Sequence, residues 1–233
     1  MGGVKKLDVG EIISDALRYS FSDWKKLLIE GFLLILNITV ILAFGVGYVL
    51  RVMKSTLADF DELPEFDDWG GMLIDGFKVY IVGIVYFIIP IIVILVGIVG
   101  SSVAIKSGNI INPSALVGLG LTFVLSIVLV IIFGLFARIA IVNMAFYDEL
   151  GAAFKLGEIF GRISKIGWGK YIIWYIVMGI VTIVIGIIGD ILRVIPYLGF
   201  IIALIVVYSY LAIFTGRSTA LIFKSGEEVQ KKE

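Results

Sequence analysis

The side chains best suited to chemistry crowd into residues 59–70, DFDELPEFDDWG, where Asp59, Asp61, Glu62, Glu65, Asp67 and Asp68 follow one another at short intervals. Oxygen ligands at this density suit Ca²⁺ or Mg²⁺, but the alternating ligand positions and the turn glycine of a calcium loop are absent. Two other readings stay open. In one the strip docks a basic partner, Glu62, Glu65, Asp67 and Asp68 supplying charge and Phe66 and Trp69 serving as aromatic anchors. In the other Pro64 stiffens a solvated loop whose aromatics dip into lipid headgroups. A second set of polar residues falls within or at the ends of hydrophobic runs: Glu30, Asn37, Thr39, Asp190 and Arg193. Asp190 and Arg193 have the i, i+3 spacing of an ion pair at the membrane interface. Glu30 stands near enough to the start of its run to snorkel.

Other chemistry is excluded by residue type. The chain has no cysteine and no histidine, which removes disulfides, thiolate nucleophiles, a histidine base and the usual zinc or haem ligands. It has no glycine-rich phosphate loop and no basic substrate clamp. We therefore expect no catalytic residue, no metal and no cofactor, and a protein that is not an enzyme.

Composition decides what must position these groups. Sixty per cent of the residues are apolar and 16% charged, with a mean hydropathy of +1.10. That leaves too little polar surface to coat a soluble globule. The expected fold class is all-α, a polytopic helical membrane protein with four full transmembrane helices, one further segment that re-enters or spans, and two interfacial amphipathic helices. Nineteen basic and nineteen acidic residues cancel, so net charge points to no nucleic-acid partner. The expected partners are the lipid bilayer and a cytoplasmic or membrane protein, with homo-oligomerisation left open. The first residues carry scattered charge and no apolar core, so no secretory signal is expected.

Along the chain, residues 7–21 place Val9, Ile12, Ile13, Ala16 and Leu17 on one helical face, which predicts an interfacial helix. Ser22 and Asp23 are caps for the next helical segment, and Trp24, Lys25 and Lys26 are anchors. Residues 25–54 hold the first hydrophobic run, with Asn37 and Thr39 near its middle. An acidic loop at 55–77 precedes spans at 78–106, 115–146, 170–190 and 197–219. Pro90 should kink the first of these. A second amphipathic helix is expected at 148–167, and 224–233 reads as a polar tail. A weak internal repeat pairs Gly10-Glu11-Ile12, Trp24-Lys25 and Leu50-Arg51-Val52 with Gly157-Glu158-Ile159, Trp168-Gly169-Lys170 and Leu192-Arg193-Val194.

Lysine and arginine then settle the topology expected. If every run spans, the nineteen basic residues divide into twelve and seven. If the run at 25–54 enters and leaves on one side, only Lys106 and Arg193 remain on the far side. The positive-inside rule favours the second arrangement, a helical hairpin followed by four spans with both termini in the cytoplasm.

The blocks WKKLLIEG at 24–31, GYVLRV at 47–52, LPEFDDWG at 63–70 and DGFK at 75–78 resemble the membrane family known as domain of unknown function 4013, common in methanogenic archaea and also found in bacteria. FKLGEIFGRI at 154–163 is similar to that family's later amphipathic block. Members often carry a proline mid-way through the first run, where this chain has Leu36-Asn37-Ile38-Thr39. The resemblance implies a class and an archaeal source without a mechanism. Two functions fit: a membrane scaffold or accessory protein docking a partner through the acidic loop, or a small permease for lipids or an apolar solute.

Overall fold

The computed structural model of the chain describes residues 8–35, 41–106 and 113–230. Asn37 and Thr39 lie outside the described residues. In order, the helices are α1 (Val9–Ser20), α2 (Trp24–Ile35), α3 (Ile41–Leu57), α4 (Trp69–Lys106), α5 (Pro113–Tyr147), a 3₁₀ turn (Leu150–Phe154), α6 (Leu156–Ile166), α7 (Trp168–Leu192), α8 (Leu198–Ile202), a π-helical turn (Ala203–Tyr208) and α9 (Ser209–Gln230). The protein is all-α.

Acidic caps set where several of these helices begin. Asp8 accepts the Glu11 amide at 2.7 Å while the Glu11 carboxylate returns to the Asp8 amide, which closes a capping box on α1. Asp23 accepts the amides of Lys25 and Lys26 and opens α2. Asp68 accepts the Gly71 amide at 2.9 Å and opens α4. That cap shortens the acidic loop to residues 58–68: α4 starts at Trp69, and residues 69–77, read from sequence as loop, belong to it. The helix continues through Pro90.

Among the described residues, four stretches are long and apolar enough to cross a membrane: Trp69–Gly100, Val117–Tyr147, Trp168–Leu192 and Leu198–Glu227. A crossing of about 30 Å needs roughly 20 residues. Among the described residues the first hydrophobic run contributes α2 and α3, of 12 and 17 residues, neither long enough alone to cross. Lys26, at the head of α2, bonds to the Leu63 carbonyl and to Glu65, both beyond the end of α3. The two helices therefore run out and back as a hairpin.

The chain divides into two compact units, residues 81–138 and the remainder. The smaller unit is a pair of helical segments from α4 and α5. Ile84, Val96, Leu121 and Phe123 stand out from it, as side chains do that face hydrocarbon. Thr122 and Ser126 return their hydroxyls to the carbonyls four residues earlier, which satisfies them without a partner helix.

In the larger unit, α9 is the central post. From Ile213 to Gly226 nearly every side chain is buried. Ile12, Ala16 and Tyr19 of α1, Ile159, Ile163 and Ile166 of α6, and Tyr171, Trp174 and Met178 of α7 are buried in the same unit. Tyr210 of α9 reaches the Leu17 carbonyl of α1, Trp174 donates to Ser218 at 2.9 Å, and Arg162 of α6 pairs with Glu227 at 2.5 Å. Ile12 and Ala16 of α1 and Ile159 and Ile163 of α6 thus bury the centre of each stripe against protein, while Leu17, Phe21, Trp24, Leu156, Phe160 and Trp168 stay exposed. Residues 224–230, which composition reads as a tail, continue α9, because Lys224, Ser225 and Gly226 are held by packing and pairing that hydropathy does not register.

Candidate functional site

The acidic loop is built by basic side chains that reach it from the helices behind. Arg217 of α9 is 4% exposed. It donates to Asp61 at 2.8 Å, to the Phe60 carbonyl at 2.8 Å, to Thr56 at 3.3 Å and to Asp15 of α1 at 3.0 Å, and its guanidinium lies 4.2 Å from the centre of the Tyr19 ring. Arg51 of α3 bonds the Glu65 carbonyl, Asp67 at 2.7 Å and both the carbonyl and the carboxylate of Asp68. Lys224 pairs with Asp59, and Lys26 with Glu65 at 2.8 Å. A planar five-donor fork suits Arg217 and Arg51 to several acceptors at once.

Backbone carbonyls are taken up in the same way. The Tyr19 hydroxyl donates to Glu62, Lys26 to Leu63 and the Tyr48 hydroxyl to Pro64. With Arg217 on Phe60 and Arg51 on Glu65 and Asp68, most of the loop's carbonyls have a donor from a helix. Leu63 is buried beneath it. Phe66 stacks on Tyr48 with ring centres 4.2 Å apart and planes 6° from parallel, and Trp69 meets Phe66 and Phe44 at the edge of the same cluster. The loop is an ordered surface element.

The ion pairs act on the charges they join. The hydrogen bond from Arg51 holds the Asp67 carboxyl below the usual carboxylate range, and the bond from Lys54 does the same for Asp148. Lys54 loses hydration by burial, but its bonds to Asp148 and Asp75 outweigh that and raise its affinity for its proton. Despite the pairing, the outer faces stay wet: the side chains of Asp59, Asp61, Glu65, Asp67 and Asp68 are between 65% and 90% exposed. Among the described residues the Glu62 carboxylate forms no ion pair. A groove of about 560 Å³ runs beside it, lined by Phe60, Leu63 and Pro64 with Arg51, Glu62 and Asp67 at its rim.

Of the residues singled out from sequence, Glu62, Glu65, Phe66, Asp67, Asp68 and Trp69 come together in this element. Asp190 and Arg193 pair at 3.2 Å as their spacing predicts, at the end of α7 remote from α6, where Tyr208 also donates to Asp190. Glu30 departs from expectation. Its side chain is wholly enclosed by protein and neither oxygen has a partner, so it does not reach the headgroups. The residues missed are the cations behind the loop. Lys26 reads from sequence as a headgroup anchor and Arg51 only as part of a repeated tripeptide, while the signal at Arg217 is a single arginine at the end of a hydrophobic run with no nearby acid in sequence.

A family model described as a protein of unknown function (DUF4013) matches residues 31–194. The chain belongs to this family. The match takes in the hairpin's return arm, the acidic loop, Arg51 and Lys54, and the helices from α4 to α7. An uncharacterized protein of the archaeon Methanocaldococcus jannaschii is 33% identical over 159 residues, covering 66% of this chain and 50% of that protein. The chain spans about half the length of that curated relative. No solved structure matches it.

Proposed function

We propose that this DUF4013 protein is a non-enzymatic membrane scaffold or accessory protein, which docks the basic face of a protein partner on the acidic element at the cytoplasmic surface. The observation that supports this most is the division of labour in the loop. Its backbone and inner oxygens are fixed by Lys26, Arg51, Arg217 and Lys224, while five carboxylates and Phe60 stay exposed. A surface ordered before binding loses little conformational entropy on binding. Phe60 and the Leu63–Pro64 groove offer the apolar anchor such an interface needs. The alternative, a small permease, draws its support from Glu30 and Thr182, polar side chains buried in helices without partners.

A photo-crosslinking amino acid at Phe60 in cells of the native host is expected to give one discrete protein adduct. Glu62→Lys reverses a charge that supports no ion pair among the described residues, so it should abolish the adduct and leave the fold intact. Lipid adducts alone, or a protein adduct indifferent to Glu62→Lys, would overturn the docking reading.

A further inference from the structure

Glu30 sits at a junction of three elements. The next residue on α2, Gly31, lies so close to the backbone of Ile205 in the π-helical turn that a β-carbon there would overlap it, and Ser209 stands beside the same point. Along the same stretch α2 packs on α3, which carries Tyr48. At this junction both carboxyl oxygens are closed to a water-sized sphere and lack any hydrogen-bond partner.

The neighbouring groups are all engaged elsewhere. The Tyr48 hydroxyl donates to Pro64 at 3.1 Å. Ser209 donates to the Leu204 carbonyl at 3.2 Å. Lys26, one turn earlier on α2, is committed to Glu65, Asp23 and the Leu63 carbonyl. The π-helical turn carries one titratable side chain, Tyr208, which serves Asp190. An ionised carboxylate in this position would have neither a counter-ion nor a donor, and such a group takes up a proton instead. A metal ion with its ligands, or an organic cation, would not fit without opening the junction.

We propose that Glu30 is a proton-binding site, held as the neutral acid while α2 is packed on the π-helical turn, so that loss of the proton loosens the hairpin from α9. The location supports a switch rather than a passive acid. A π-helical turn is rare and recurs at functional sites, and Gly31 gives it direct backbone contact with the arm that carries the titrating group. Glu30 lies mid-way along α2, one turn beyond the Lys26 that meets the acidic surface, and does not depend on partner docking there.

The test uses the full chain in lipid nanodiscs. At pH 7 its infrared spectrum should contain a protonated-carboxyl stretch that Glu30→Gln removes. The sign of the pH dependence comes from a neutral folded form: stability from Glu30 is complete below the ordinary glutamate range and is lost as pH rises towards the value in the folded protein. The melting temperature of the wild type should therefore fall relative to Glu30→Gln between pH 6 and pH 9. If Glu30→Gln does not fold, Glu30→Asp keeps a carboxyl at the same position, and the protonated-carboxyl stretch should move in frequency in that variant. An unchanged infrared band together with a constant melting difference would overturn the proposal. So would a band that keeps its frequency in Glu30→Asp, should that arm be needed.

Discussion

Arg217 illustrates how one side chain joins parts of the chain that sequence keeps far apart. Its donors satisfy Asp15, Thr56, Phe60 and Asp61 from a site that is almost fully enclosed. Hydrogen bonds to a charged group contribute about 1.5–3 kcal/mol, and removing one member of a buried set leaves its partners unmet. We predict that Arg217→Met lowers stability by about 2–4 kcal/mol, measured by thermal unfolding in detergent, and that Arg217→Lys recovers part of the loss because its point charge reaches fewer acceptors. Asp67 and Asp148 bear on acid pH. Both carboxyls titrate below their ordinary value, so their contribution is present above about pH 4 and is lost as pH falls through the folded-state values. Loop order, followed by fluorescence of Trp69, should hold from pH 7 to about pH 4 and decline below that range. Asp67→Asn should blunt the decline.

At the scale of elements, the hairpin meets α4 through two glycines. A β-carbon on Gly47 would overlap the Met72 carbonyl, and one on Gly76 the Ala43 carbonyl, so α3 and α4 touch backbone to backbone. Overpacking a close contact costs about 1–3 kcal/mol, and more where backbone must move. Gly76→Leu should therefore cost at least about 3 kcal/mol and expose Arg51 to exchange, whereas Gly83→Leu, where no atom lies near, should be close to neutral. Such contacts explain what the sequence disclosed and what it withheld. Hydropathy located the four long helices and the stripes of α1 and α6, because period and length are local properties. It runs α2 and α3 together, since the residues on both sides of 36–40 are apolar, and only the placement of lysine and arginine indicates the return. The acids of 59–70 were visible as a cluster, but their cations come from Lys26, Arg51, Arg217 and Lys224, spread over most of the chain. The burial of Glu30 depended on α2 lying against the π-helical turn, a pairing that no local pattern encodes.

For the larger unit taken whole, the ion pairs carry an implication for sidedness. Lys26 on Glu65, Arg217 on Asp15 and Asp61, Lys224 on Asp59, Lys54 on Asp148 and Arg162 on Glu227 tie the head of α2, the end of α3, α1, the turn after α5, α6 and the second half of α9 together on the side of the acidic loop. From that side α7 departs at Trp168 and reaches Leu192 after 25 residues, about 37 Å at 1.5 Å per residue, which exceeds a hydrocarbon core of about 30 Å. Val194, 80% exposed, should then emerge on the side opposite the acidic loop. The chain has no cysteine of its own, so single cysteines report without background. We predict that Glu62→Cys and Glu149→Cys react with a membrane-impermeant maleimide only after cells are permeabilised, and that Val194→Cys reacts in intact cells. Were Glu62→Cys to label from outside while Glu149→Cys did not, the Lys54–Asp148 pair and the hairpin could not both stand, because α3 would have to end on the far side from the turn after α5. Labelling of all three from one side would mean that α7 does not cross.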